Sequence, residues 1–332
     1  MVSYSNFIQT GVALIFEIAV GYLFSKLKIV NSSVSGPLNK LLFQVGYIPL
    51  MFRNLASQDI KKVDFVPLGI NGLSSVTCLI FLAVIFLFPI KNKFSTFLAT
   101  ELPALYINYV IIGIPIFNSI WDPSTNGIVG IICLANDVVT SPIYLTLAAI
   151  FEICEKNKVN VAMGEPKERF SFSKVIFIIK SIVTAPVFIG IVLGFGWMAT
   201  GLTQPIFLKR IMDLLANLVL FLSLFCVGCF LSEHSLMSCP WWQFLVCVIV
   251  RHILQPVVAG FYSWALNINH TTARQCIIMI ALPSAVACYS LSMRTGVGTG
   301  CSSTMIFWST VISIPALVII CSVLDSAKLF PE

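Results

Sequence analysis

Apolar residues in this chain come in runs of about twenty, each closed by a short polar connection, and that repeat organises the rest. Such windows fall near 7–25, 37–57, 65–89, 97–120, 126–151, 175–197, 205–231, 241–266, 275–293 and 301–324. They predict ten membrane-spanning helices. The second window is the least apolar, with Asn39, Lys40, Gln44 and Pro49 inside it. The longest hydrophilic stretch, 152–174, carries Glu155, Lys156, Lys158, Glu165, Lys167, Glu168 and Arg169 and divides the windows five and five. The expected organisation is a first five-helix repeat over 1–151, a short cytoplasmic loop over 152–174 and a second five-helix repeat over 175–332. An odd number of helices per half turns the second half upside down in the membrane, which is the condition for an inverted repeat.

Two windows are interrupted. In the fourth, Asn108 is followed by Tyr109, Gly113 and Pro115 within one apolar run. A proline removes a backbone donor and clashes with the carbonyl four residues back, a glycine weakens the helix further, and the Asn108 amide cannot be satisfied by lipid. In the ninth, Pro283 sits amid apolar residues with Ser284 directly after it. Interrupted helices at corresponding positions of two halves mark the binding site of a secondary transporter. Half-helices that end at mid-membrane point unpaired N–H groups and positive dipole ends, roughly half an elementary charge each, into the space between them. The expected ligand is therefore a small organic anion, a carboxylate, held by backbone amides with Asn108, Tyr109 and Ser284, while Gly113, Pro115 and Pro283 shape the breaks. For Asn108 a second role stays open, that of a simple helix cap.

Composition fixes the class. Of 332 residues, 58% are hydrophobic and only 10% charged, with a mean hydropathy of +0.96, against about one-quarter charged in soluble domains. The net charge of +6 lies in short connections and not in a tail or a continuous face, which argues against a nucleic-acid partner. The connections after the odd-numbered helices hold eleven lysines and arginines and the opposite side seven. That bias puts both termini outside and 152–174 in the cytoplasm. Nearly all of the eleven cysteines lie within apolar windows, where they pack as small hydrophobes and stay reduced. The first run lacks a basic segment before it and a small-residue cleavage site after it, so it is expected to be a retained helix. There is no HExxH or GxSxG, and the three histidines are scattered, so neither an enzyme nor a metal or cofactor site is expected. The expected partners are the organic anion and the bilayer of the plasma membrane or endoplasmic reticulum, with a homodimer left open.

Other polar residues in the spans carry weaker signals. Asn136 and Asp137 on the fifth helix are candidates for coupling or polar support, Asp137 as a proton or cation site or as a residue that only snorkels to the interface. Glu17 on the first helix faces the same choice. The third helix has no charge and offers Asn71 as its polar support, with Ser74, Ser75 and Thr77. Arg251 and His252 on the eighth are expected to pair with a carboxylate of another helix. Cys226 and Cys229 have CxxC spacing without a second pair and read as packing, and Gly296, Gly298 and Gly300 read as a turn. Three functions remain in view: a carrier, a channel of the same fold, and a non-transporting receptor or scaffold.

Taken together these pieces resemble a known family. Gly21-Tyr22-Leu23, the run Pro49 to Leu55, the Asn108 to Pro115 signature, Tyr144 to Glu152, Ala185-Pro186 to Gly194, Arg251 to Pro256 and Leu282-Pro283 to Gly296 occur in the order and spacing of the auxin efflux carrier family, which includes the PIN and PIN-like carriers. The resemblance implies a ten-helix, all-α membrane fold of two inverted five-helix repeats, with helices one, two, six and seven as scaffold. It further implies that broken helices four and nine cross at mid-membrane, and that transport is an elevator-like movement of this crossover. Asn108 and Pro283 match the crossover motif.

Overall fold

The computed structural model describes residues 4–58, 63–327 and 330, and among them every regular element is helical. In chain order these are α1 (Tyr4–Lys26), α2 (32–56), α3 (Val66–Ile85), α4 (Lys93–Leu105), α5 (Tyr109–Ile120), α6 (Gly127–Met163), α7 (Phe172–Val183), α8 (Pro186–Thr200), α9 (Ile206–Glu233), α10 (Trp241–Ala265), α11 (His270–Ile280), α12 (Ala287–Thr295) and α13 (Thr299–Ala327). Six of them, α1, α3, α6, α9, α10 and α13, are long and apolar enough to cross a membrane, and α7 with α8, bent by 58°, makes a seventh if taken as one span. Hydropathy predicted ten. The difference falls on the windows at 37–57, 97–120 and 275–293, where α2 is interrupted by a π turn and carries Asn39, Lys40 and Gln44, and the other two are split into half-helices.

Local chemistry explains where helices run on and where they stop. α6 continues to Met163, so the first half of the stretch expected as a loop over 152–174 is helical; Gly164, in the left-handed conformation at φ 76°, closes it. Lys156 and Lys174 both pair with Glu152, at 2.9 and 3.2 Å, and fasten this extension to α7. The window at 175–197 is not one straight helix, since Pro186 opens α8 after a bend at Thr184–Ala185. Lys61, Lys62 and Lys328, counted above on the outer side, lie outside the described residues.

Four π turns, Leu42–Gly46, Tyr109–Gly113, Asn136–Thr140 and Val250–Leu254, lie within or at the start of α2, α5, α6 and α10. Each is followed by a proline: Pro49, Pro115, Pro142 and Pro256. A proline ring collides with the carbonyl four residues back, and here those carbonyls belong to Val45, Ile111, Val138 and His252, all inside a π turn. The wider turn swings the carbonyl aside and the helix continues. Pro115 therefore does not break its helix; the break lies ahead of it, at 106–108.

Two helix pairs touch backbone to backbone. α1 lies on α9, with Gly21 against the Phe225 backbone and Gly228 against that of Ile18. α8 lies on α2, where a Cβ on Gly190 would come within 2.7 Å of the Ile48 carbonyl oxygen and one on Gly194 within 2.7 Å of Leu55 Cβ. α9 also packs on α2, α10 on α3 and α11, and α13 on α4. The central core gathers Leu50, Met51, Ile107, Tyr109, Phe117, Ile132 and the run Ile277–Leu282. Outward faces carry exposed Phe16, Leu87, Leu214, Trp241, Val257 and Ile319, an apolar surface suited to hydrocarbon and not to water.

Candidate functional site

The two breaks meet. Between α4 and α5 the chain is non-helical at 106–108, and between α11 and α12 at 281–286, and the two segments pair through an isolated antiparallel bridge of Ile107 and Ser284. Asn108 N–H donates to the Pro283 carbonyl at 2.9 Å, and Ala285 N–H to the Tyr106 carbonyl at 3.2 Å. Backbone that has left a helix in a membrane must be paired by protein, and here each broken segment pairs the other. Further partners come from neighbouring helices: Asn136 of α6 holds the Ile107 peptide, and Ser309 Oγ of α13 accepts the Ser284 N–H at 2.9 Å.

The electrostatics of the crossover are lopsided. The carbonyl end of α4, its negative pole, is capped by Arg251, whose Nη2 donates to the oxygens of Pro103 and Tyr106 at 3.1 Å each, while Nη1 donates to Gln255 Oε1 at 3.0 Å. Ser284 Oγ adds a second donor to Pro103 at 2.6 Å. The opposite poles, the first turns of α5 and α12, are left open. Asn108 Oδ1 caps α5 by accepting from Ile111 N–H at 3.2 Å, yet the N–H groups of Tyr109, Val110, Val286 and Ala287 have no acceptor among the described residues. One fixed cation caps the negative end of α4, whereas these four N–H groups keep a positive pole turned to the space beside the crossover.

These open ends line a cavity of about 680 Å³. Its floor is Tyr106–Ile111 and Ala285–Ala287, its walls are α2 from Gly36 to Tyr47, Asn136, Asp137 and Ser141 of α6, and the bend between α7 and α8. The mouth carries exposed Lys40, Lys180 and Arg294, and Asp137 is the single acidic residue of the lining. Arg294 stands over the Phe177 ring, 5.6 Å from its centroid. The lining runs along α2 and α12 to the helix ends that adjoin connections 27–31 and 296–298, so the cavity opens on that side of the protein. Asp137 lies beside Tyr106, and its Oδ2 is buried with no hydrogen-bond partner among the described residues.

Of the residues singled out from sequence, Asn108, Tyr109, Asn136 and Asp137 line the cavity, and Gly113, Pro115, Pro283, Ser284 and Asn71 do not. Gly113 serves the packing instead, since a Cβ there would come within 2.8 Å of Leu282 Cδ1. Asn71 Oδ1 accepts from the Tyr109 hydroxyl at 3.3 Å behind the cavity wall. Glu17 is half-buried on α1 and outside the lining. The expected Arg251–carboxylate pair is replaced by the carbonyl contacts above, because the end of a broken helix offers an arginine several aligned acceptors. Cys226 and Cys229 are buried and all eleven cysteines are free. Among the described residues no three histidines, cysteines or carboxylates come together as a metal site. Sequence reasoning passed over Lys180 and treated Lys40 and Arg294 only as topological charge; their signal was a position at or just inside the edge of a span.

A search of curated proteins finds no match to the chain. The family model described as "Membrane transport protein" matches residues 7–321. The chain thus belongs to the membrane transport protein family, which includes auxin efflux carrier and PIN-like proteins, and is a multi-pass membrane transporter.

Proposed function

We propose that the protein is a secondary carrier for a small organic anion, with the crossover cavity as its binding site. The observation that carries this reading is the union, in one cavity, of two half-helix N-termini that keep unpaired N–H groups and three cationic side chains at the mouth. A carboxylate entering between Lys40, Lys180 and Arg294 would reach the Tyr109, Val110, Val286 and Ala287 amides without meeting a buried positive side chain. Neutral donors and dipoles hold an anion less tightly than an ion pair does, and so permit its release. Asn108, Asn136 and Asp137 complete the polar lining, with Asn71 in support through Tyr109.

We read the helices as ten spans in two inverted five-helix repeats, counting α2, α4 with α5, α7 with α8 and α11 with α12 as one span each. Packing supports this. Exchanging span n with span n+5 turns the first–seventh contact into a sixth–second contact, and the two glycine seams, α1 on α9 and α8 on α2, are related in that way. With the lysine-rich side in the cytoplasm, the cavity opens inward. Transport is then an elevator-like shift of the crossover against the scaffold formed by the two seams.

Purified protein in liposomes, offered radiolabelled carboxylates with and without pH and sodium gradients, tests the reading. Saturable uptake of a carboxylate, not competed by amines of the same shape, is the expected result. Unsaturable ion currents would favour a channel, and flux of no carboxylate would favour a receptor or scaffold.

A further inference from the structure

Glu101 of α4 lies about two helical turns before Asn108 and is fully buried, with neither carboxylate oxygen hydrogen-bonded to any described residue. No lysine, arginine or histidine forms an ion pair with it among the described residues. A bare carboxylate in such surroundings lacks donors, water and counter-ion together, so as the side chain stands the neutral acid is the form held, and ionisation requires it to turn toward other groups.

The neighbouring helices bring few titratable groups toward it. Cys78 of α3 and Cys301 of α13 are buried thiols packed with Ala104 and Leu105 of α4. α10 brings Cys247, whose Sγ lies 3.6 Å from the Thr100 carbonyl, and Arg251, which directs both Nη groups to Gln255, Pro103 and Tyr106. His252 beside it faces Ala281. α12 and α6 bring Cys288 and Tyr144, both within electrostatic reach of the carboxyl.

Tyr144 opens a route outward. Its hydroxyl pairs with Thr295 Oγ1 at 2.7 Å, and Thr295 is half-buried at the end of α12, next to the exposed Gly296. Ser292 and Ser302, paired at 2.7 Å, lie alongside. Hydroxyls both donate and accept, which is what a proton path requires.

We propose that Glu101 is a proton-binding site of this protein, loaded and unloaded through Tyr144 and Thr295 from the side on which the cavity opens. On unloading, rotation of the Glu101 side chain brings its O–H to Tyr144 Oη. The carboxyl O–H bond breaks as Tyr144 takes the proton and passes its own to Thr295 Oγ1, and Thr295 passes its own to water. One proton leaves, a carboxylate remains, and the reverse sequence reloads it. Because α4 ends in the crossover, the charge on Glu101 then couples proton movement to anion movement. The coupling rests on the carrier reading, whereas the proton site does not.

Infrared difference spectroscopy of the purified protein between acid and alkaline pH tests the site without any substrate. The expected result is a protonated-carboxyl C=O band that shifts in D2O, disappears on alkalinisation, persists in Asp137→Asn and is absent in Glu101→Gln. Tyr144→Phe should keep the band and slow its exchange with D2O several-fold. A band unchanged in Glu101→Gln, or one displaced by sodium at fixed pH, overturns the proposal, and unslowed exchange in Tyr144→Phe overturns the path. The wild-type titration reads the band even if Glu101→Gln fails to fold. In liposomes, radiolabelled acetate, benzoate and succinate separate the two readings. Uptake of none of them sinks the carrier and leaves the band untouched, and uptake indifferent to a pH gradient sinks the coupling.

Discussion

Asn136 binds the Ile107 peptide twice, its Oδ1 accepting the N–H at 3.2 Å and its Nδ2 donating to the carbonyl at 2.6 Å. One side chain thus does for a single buried residue what a neighbouring strand does for a row of them. Replacing Asn136 with Ala or Leu orphans both groups, at about 1–3 kcal/mol for each buried polar group. Both variants should melt at clearly lower temperature in detergent, and by similar amounts. If Leu restores stability by filling the volume, the amide is only a spacer.

Asn108 caps α5 and also faces the cavity. Asn108→Ala should cost about 0.5–2 kcal/mol of stability through the lost cap. It should raise the half-saturating anion concentration by more than it lowers the amount of protein at the membrane. Melting curves beside surface-normalised uptake separate the two effects, and uptake that falls only with abundance would leave Asn108 a cap alone.

Lys180 and Arg294 stand exposed at the mouth of the cavity. Neutralising each with Gln should change stability by no more than about 0.5 kcal/mol, as for most surface positions. Uptake at low anion concentration should fall and lose part of its sensitivity to ionic strength, which screens exposed charges. Uptake measured at two salt concentrations checks this.

How much of this could be read from sequence depends on the kind of interaction. Hydropathy marks the lipid-facing spans and the prolines mark disturbed helices, because both are local properties. The prolines do not say what becomes of the disturbance. Pro115, Pro142 and Pro256 are absorbed by π turns, whereas the chain at Pro283 leaves the helix altogether. Three residues, Tyr106 to Asn108, hold the other break, and the partner segment at 283–285 explains it. Arg251 and Glu101 were illegible for the same reason. Their meaning lies in what the rest of the chain brings beside them, carbonyls for one and, among the described residues, no donor for the other.

Gly228 and Gly190 test the seams. A methyl on either meets backbone, which cannot swing aside, so Gly228→Ala and Gly190→Ala should each destabilise by about 1–3 kcal/mol or prevent folding. Gly196 has nothing within 4 Å of a built Cβ, and Gly196→Ala in the same helix should be neutral or stabilise by about 0.4–1 kcal/mol. Thermal melts of the three variants decide it.

Two sequons, at Asn31 and Asn269, are exposed and lie on opposite sides of the predicted topology. Only Asn269 should accept glycan. Its Oδ1 also caps α11 by accepting from Thr272 N–H at 2.9 Å, and a glycan on Nδ2 leaves that cap in place. Gel mobility before and after deglycosylation reads the side, and modification at Asn31 reverses the topology.

The π turns have a consequence for the chain as a string of residues. Each spends one residue more than an α-helical turn needs, so the helix on its far side has the phase of a chain one residue shorter, about 100° from where simple counting puts it. Removing one residue from 136–140 together with Pro142→Ala would convert that turn to ordinary helix and leave both flanks of α6 facing as they do now. In this fold a deletion is best absorbed at those four turns, and a helical wheel drawn across any of them assigns the residues beyond to the wrong face.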